Sequence, residues 1–489
     1  MVIETIQPLI PVMLVLLVAI LIVVSQKQPN VREFWSVAGA LATFLAVVTM
    51  VPPVLKGARL VFILSEIAPG ISLSFRVDAL SLVFGLVSSF LWIFASFYNI
   101  GYMRGLNEHA QTRYYACFAV AILGAQGVSY AGSLFTLYLF YEIITVFTYP
   151  LVAHHQDEEG YAGGKKYLVY LMGTSKGFLL PAMILTYVMT GTLEFGENIR
   201  AGIFPPHINT LWVTVTYFLF IFGFAKAAIM PLHNWLPSAM VAPTPVSALL
   251  HAVAVVKAGV FCISRVMLYT FGTNFLQMSG LGLITAYIAS FTIITASVIA
   301  LTKDDLKARL AYSTVSQLSY IVLGVALLDN AGILGGIIHI VNHGFSKITL
   351  FFCAGAIYVA HHKKKISEMA GIGYEMPFTM GAFALASLSM IGAPPVAGFV
   401  TKWYLLNGAM EIANMPILIV LMASTLLNAG YFVPITYQAF FMGKRQRFNR
   451  RDIKEAPLTM VIPLFLASLI SLFLGVFPNF FVTLIGKLF

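Results

Sequence analysis

Charge is scarce in this chain, and cysteine is scarcer. Only 10% of its 489 residues are Asp, Glu, Lys or Arg, while 59% are hydrophobic. A soluble domain carries about 25% charged residues, so the composition indicates a polytopic membrane protein. The three cysteines, Cys117, Cys262 and Cys353, lie in separate apolar stretches and form no CxxC. That pattern argues for reduced core residues and against an iron–sulfur or zinc site. Walker A loops and GxGxxG stretches are also missing, so no nucleotide or flavin cofactor is expected and redox or ATP energy would come from partner subunits. Residues 1–7 lack a basic n-region, and the first apolar run passes into KQPNVREF without a small-residue cleavage pattern. That run is expected to remain as a first span.

What is present is a series of apolar runs. Fourteen candidate spans fall near 8–25, 34–54, 76–101, 113–130, 132–153, 167–190, 210–230, 243–270, 280–301, 307–328, 331–359, 376–408, 414–442 and 458–485. Residues 59–76 alternate in places and turn at Pro69-Gly70, which predicts a surface β-hairpin. The net charge of +10 does not imply nucleic acid, because its location matters more than its sum. With both termini outside, eighteen of the 29 basic residues fall in inner loops, among them Arg104, Arg113, Lys307, the run 363–365 and the run from Lys444 to Arg451. Six fall outside, including Arg76 and Arg265, and five lysines remain in spans. The bias predicts a multi-pass protein of the cell inner or plasma membrane with both termini on the outer side. The basic runs are equally suited to lipid headgroups.

Two spans look broken. The seventh contains Pro231 and Pro237, and the twelfth contains Pro394-Pro395 between glycines. Lys226 precedes the first break and Lys402 follows the second. That order suits two repeats inserted in opposite orientation, a design that places ion sites at interrupted helices.

Six ions lie where none should be: Glu142, Lys176, Lys226, Lys257, Lys347 and Lys402, each inside an apolar run. Left unpaired they would cost on the order of 15–20 kcal/mol. They must pair, hold water or lose charge. Those are the properties of a proton path. Lys226 is the expected partner of Glu142, and Lys257 is the expected central carrier. His251 lies six residues before Lys257 and off its face, as a separate station rather than a partner. His339, His343 and Lys347 recur at steps of four, forming one polar stripe. A zinc reading of that stripe lacks further ligands and gains nothing from a lysine, so a hydrated relay fits better. Lys402 either ends the path or snorkels to the interface. Lys176 and His233 are accessory candidates, Lys176 near the Glu142 cluster and His233 as a cap or backbone clamp beside the first break. Asp78 is expected to cap the third span.

The stretch AKAAIMPLHNWLPSAMVAPTPVSALLHAVAVVKAGVFCISR at 225–265 resembles the antiporter-like family. That family is shared by the complex I membrane arm, membrane-bound hydrogenases and Mrp cation/proton antiporters. The resemblance extends through FRVDALSLVF at 75–84, LTKDDLKARLAYSTVSQLSYI at 301–321 and GAPPVAGFVTKW at 392–403. It implies an all-α fold of about 14 transmembrane helices, with two inverted five-helix repeats (spans four to eight and nine to thirteen) and broken helices 7 and 12. The family's fifth-helix glutamate falls on Glu142, its seventh-helix lysine on Lys226 and its eighth-helix lysine on Lys257. Its twelfth-helix charge falls on Lys402, and its eleventh-helix histidine on His339 or His343. Lysine at 402 is unlike the complex I subunit that is fourth in the mitochondrial numbering. Length and ending look like the D-type subunit of Mrp antiporters, whereas LLHAVAVVKAG is closer to larger members such as the A-type subunit.

The expected organisation is helices 1–3 with the hairpin over 1–110, repeats over 111–270 and 271–443, and a basic loop with the final helix over 444–489. The expected function is proton translocation within a multi-subunit Na+/proton antiporter. The alternative is a proton-pumping membrane-arm subunit of a complex I-like NADH:quinone oxidoreductase or membrane-bound hydrogenase. Expected partners are other membrane subunits, protons, lipid and, in the antiporter, Na+. No nucleic acid and no cofactor are expected.

Overall fold

The computed structural model of the chain describes residues 1–205, 208–442 and 453–489. The basic run from Lys444 to Arg451 lies outside the described residues. Nine helices among the described residues are long and apolar enough to cross a membrane. Three shorter apolar helices join them, Ile10–Val24, Thr210–Gly223 and Pro377–Ile391.

Two helices make the centre. The most apolar windows of Thr244–Phe271 and Asn330–His361 are fully buried, whereas that of Pro29–Leu55 is one-third buried. The central helices can be polar because nothing but protein surrounds them. Buried hydroxyls mostly bond back to their own helix, as Ser88 does to the Phe84 carbonyl at 2.9 Å and Ser264 to that of Val260 at 2.8 Å.

The hairpin expected over 59–76 is present as β2 (Arg59–Ala68) and β3 (Ile71–Val77). A third strand, β1 (Val2–Glu4), pairs parallel with β2 and was not expected. The sheet is fastened to the bundle. Arg76 N donates to the Tyr130 carbonyl at 2.7 Å, Gly132 N to that of Ser74 at 2.9 Å, and Leu193 N to that of Gly70 at 2.8 Å. Several basic loop residues meet at the opposite end. There Arg113 donates to the His154 carbonyl at 3.0 Å and Lys307 to the Ala242 carbonyl at 2.6 Å.

Both expected breaks occur. The helix Thr210–Gly223 gives way to a 3-10 turn at Ala225–Ala227, and Pro377–Ile391 stops before a new helix starts at Ala397. Each break is packed against a glycine. A Cβ on Gly259 would overlap the Ala227 amide nitrogen, and one on Gly398 would overlap the Ser389 carbonyl oxygen. Among the described residues, π-helical segments interrupt helices at Ser175–Leu179 and Leu249–Val253, and a third, Met267–Phe271, ends one. Such segments recur at functional sites.

Arg265 departs from its expected place among the outer loop charges. It is fully buried inside the helix Val255–Val266. Its guanidinium grips Asp78 through two bonds of 2.5 and 3.0 Å, and Ser81 through a third of 2.6 Å. Asp78 caps its helix as expected, accepting from Ser81 N at 3.0 Å, but its carboxylate is also shared by two buried cations, Arg265 and Arg76, whose Nε lies 3.4 Å away.

Candidate functional site

Glu142 lies midway along the helix Leu134–Val152. Its expected partner was Lys226. The structure instead places Lys176 there, with Nζ 3.2 Å from the carboxylate and 2.6 Å from the Tyr138 hydroxyl. Ser175 donates to the other carboxylate oxygen. Both neighbours sit at the start of the π segment Ser175–Leu179, where the local change of winding carries them. The Lys176 side chain is 50% exposed and that of Glu142 14%, so this pair stands on the flank of the bundle.

Lys226 is fully buried in the first break and makes no ion pair among the described residues. Its ammonium donates to the Tyr141 carbonyl at 2.5 Å and lies 3.1 Å from the centroid of the Tyr141 ring. Carbonyl and ring face together hold the cation. Tyr141 therefore stands between Lys226 and the adjacent Glu142.

At the centre, Lys257 Nζ lies 2.8 Å from His343 Nδ1. Either the ammonium donates to a bare imidazole nitrogen, or a neutral amine accepts from an N–H. One proton serves both arrangements, and that is what a transfer step requires. Of the two candidate histidines, His343 is the one in contact with Lys257. His339 comes next, with ring centroids 5.6 Å apart. Its Nδ1 lies 3.2 Å from Thr401 Oγ1, beside Lys402 in the chain. Tyr320 stands 5.7 Å from the His339 ring and 5.6 Å from the Lys402 ammonium, centroid to partner. Lys402 itself donates to the Ile391 carbonyl at 2.6 Å and to Thr425 at 2.8 Å.

The stripe of three side chains fans out. His343 meets the Lys257 helix and His339 meets Thr401. Lys347 turns to the helix Leu306–Ala326, donating to Ser313 at 2.8 Å and to the Leu310 carbonyl at 3.1 Å. Tyr431 and Asn428 extend this branch from Ser313. His251 lies in the π segment Leu249–Val253, stacked on Phe351 at 4.5 Å, and neither ring nitrogen has a hydrogen-bond partner among the described residues. His233 sits beside the first break, its carbonyl accepting from Leu236 N at 3.1 Å and its ring 6.3 Å from Tyr312.

Sequence reasoning missed Tyr138, Tyr141, Tyr320, Thr401 and Thr425, the polar groups that link the charges. Aromatic residues are abundant in such helices, so nothing in the sequence distinguishes these. A cavity of about 450 Å³ opens at the end where the basic loops meet, lined by His155, Asp157, Asp305, Lys307 and Thr244 among others. Thr244 begins the helical segment that carries His251 and Lys257.

Comparison with known proteins completes the picture. Residues 131–429 match the family described as NADH:quinone oxidoreductase/Mrp antiporter, TM. NADH-quinone oxidoreductase subunit N of Desulforudis audaxviator is 30% identical over 474 residues, covering 93% of this chain and 92% of that protein. The A-type subunit of the Na(+)/H(+) antiporter of Alkalihalophilus pseudofirmus is 31% identical over 442 residues, covering 84% of this chain. The match takes in only 53% of that relative's own length. A chain of the Mrp complex from Dietzia sp. DQ12-45-1b superposes with a TM-score of 0.85 at 22% identity, covering 98% of this chain and 97% of that one. At that identity the likeness concerns the fold alone. A chain of the membrane-bound sulfane sulfur reductase, an archaeal respiratory membrane complex, gives 0.87 at 25% identity over 98% and 96%. The family match covers well over half of the chain and the first relative nearly all of it, so the chain belongs to the NADH:quinone oxidoreductase/Mrp antiporter family of membrane proteins.

Proposed function

We propose that this chain is a proton-translocating subunit of a multi-subunit monovalent cation/proton antiporter. Protons move along Glu142, Lys176, Lys226, Lys257, His343, His339 and Lys402, with Lys347 as a side branch and His251 on the way in from the cavity. The observation that carries this reading is the 2.8 Å contact between Lys257 Nζ and His343 Nδ1, deep between the two central helices. An ammonium with an imidazole as its nearest polar partner is a poor packing device, because it lacks the counter-charge that a static bridge needs. As a site that gains and loses a proton, it needs none.

The arrangement of spans belongs to the same proposal. The nine long helices, the three shorter ones and the polar-lined helices Gln111–Ser129 and Leu306–Ala326 support a reading of fourteen spans. The two breaks support two repeats in inverted orientation. The meeting of basic loops at one end supports an inner location for that end and an outer one for the sheet. The flank position of Glu142 and Lys176 supports assembly with a neighbouring membrane protein, since half-exposed charges midway along a helix are unfavourable against lipid. No cluster of acids suited to dehydrating sodium lies among the described residues of the line, so the line is a path for protons.

Sodium-dependent proton flux in vesicles tests the proposal with Glu142→Ala and Lys257→Ala. Unchanged flux in both variants would overturn it. A second reading, a redox-driven membrane-arm subunit, is favoured by the subunit N relative, whose length this chain nearly spans. Under that reading flux from the assembled complex follows electron supply rather than the sodium gradient.

A further inference from the structure

A cluster at the basic end of the bundle takes no part in the proton line. Glu108 and His109 lie in the turn between the helices Ala79–Gly105 and Gln111–Ser129. His154 and His155 lie in the turn between Leu134–Val152 and Glu158–Thr174. One ligand atom each from Glu108, His109 and His154 fall within 4.8 Å of one another. His154 is fully buried, and neither of its ring nitrogens has a hydrogen-bond partner among the described residues. Its Nε2 faces the Glu108 carboxylate at 3.6 Å, and His155 Nδ1 faces the same oxygen at 3.7 Å.

These distances distinguish two explanations. A structural histidine clamp would close to hydrogen-bond length, near 2.7–3.2 Å, and would satisfy at least one buried nitrogen. Here the donors converge and stop short. The gap suits an ion with bonds of about 2.0–2.2 Å, whose ligand atoms stand roughly 3.4 Å apart around a tetrahedron. Small side-chain rotations bridge the difference.

We propose that Glu108, His109 and His154, with His155 as a fourth donor, form a binding site for a divalent transition-metal ion of the zinc class. Three imidazoles and one carboxylate favour such an ion over magnesium or calcium, which take oxygen ligands. Arg113 is the cation beside the site, and its NH2 is engaged by the His154 carbonyl at 3.0 Å. It therefore fixes the loop that presents the imidazole. A bound ion would fasten two turns that are joined through side chains among the described residues, one of them ending the helix that carries Glu142. His155 also lines the cavity, so the ion would add positive charge at its rim.

The test is zinc binding by calorimetry to the purified full chain in nanodiscs, with cobalt absorption as a second readout. The expected result is one zinc per chain, displaced by neither magnesium nor calcium, with cobalt giving tetrahedral ligand-field bands. His154→Ala and Glu108→Gln should weaken binding at least about tenfold, equivalent to roughly 1.4 kcal/mol. His109→Ala alters an exposed residue, keeps the fold and should weaken binding similarly, which guards against misfolding of the buried variants. His362→Ala, at another exposed histidine, should leave affinity unchanged. Wild-type affinity no better than that of His109→Ala, or an equal loss in His362→Ala, overturns the proposal.

Discussion

Lys176 Nζ and the Glu142 carboxylate are 3.2 Å apart, although a turn and most of a helix separate them in the chain and the pair stands on the flank of the bundle. The partner of the only acid within the line is thus a lysine that no spacing rule selects. Lys226 is one step further, reached through Tyr141.

If these two ions act as one unit, their removal is not additive. Glu142→Ala and Lys176→Ala should each slow sodium-dependent proton flux about tenfold, or roughly 1.4 kcal/mol of barrier. The double variant should be within about threefold of either single one. Multiplying losses in the double variant would show two independent roles.

Lys402 closes the end of the half-helix before it by donating to the Ile391 carbonyl. A cation suits that carboxyl-terminal end. Lys402→Gln keeps a donor without the charge and should unfold near the wild-type temperature while losing flux. Lys402→Met leaves the carbonyl unpaired and should lose about 1–3 kcal/mol of stability as well. Full flux in Lys402→Gln would reduce Lys402 to a cap.

The breaks depend on close backbone approach. Gly259→Ala and Gly398→Ala should each destabilise by about 1–3 kcal/mol, seen as lower unfolding temperatures in detergent. Gly173, with nothing within 4 Å of an added Cβ, provides the control. Gly173→Ala should be neutral, or stabilising by up to about 1 kcal/mol through helix propensity.

Asp78→Ala strands the buried Arg265 guanidinium and should cost about 3–5 kcal/mol. Combining Asp78→Leu with Arg265→Leu should recover part of that stability, because Arg265 is no longer buried alone while Arg76, whose Nε lies 3.4 Å from the Asp78 carboxylate, still loses its partner. A double variant as unstable as the single one would mean that the loss of the Arg76–Asp78 contact dominates.

Much of this architecture was legible because its signals are local. Pro231 and Pro394-Pro395 announce breaks, Pro69-Gly70 announces a hairpin, and the recurrence of His339, His343 and Lys347 announces a polar stripe. What stayed hidden depends on three dimensions. Arg265 looked like a loop charge because only the folded bundle brings Asp78 to it. The sequence pointed to Lys226 rather than Lys176 as the Glu142 partner, because an ion pair is set by helix packing and by a π segment with no sequence signature. The Glu108–His154 cluster needed two separate turns to be seen side by side.

The π segment Leu249–Val253 also works as an angular offset. A helix advances about 100° per residue, so the wider winding there sets the direction in which every later side chain of that helix points. Lys257 faces His343 only with that offset in place. Forcing regular winding at unchanged length would swing the ammonium by about 100°, disconnecting the two central helices without altering a single charged group, whereas deleting one residue from the segment would absorb the bulge and leave the contact in place.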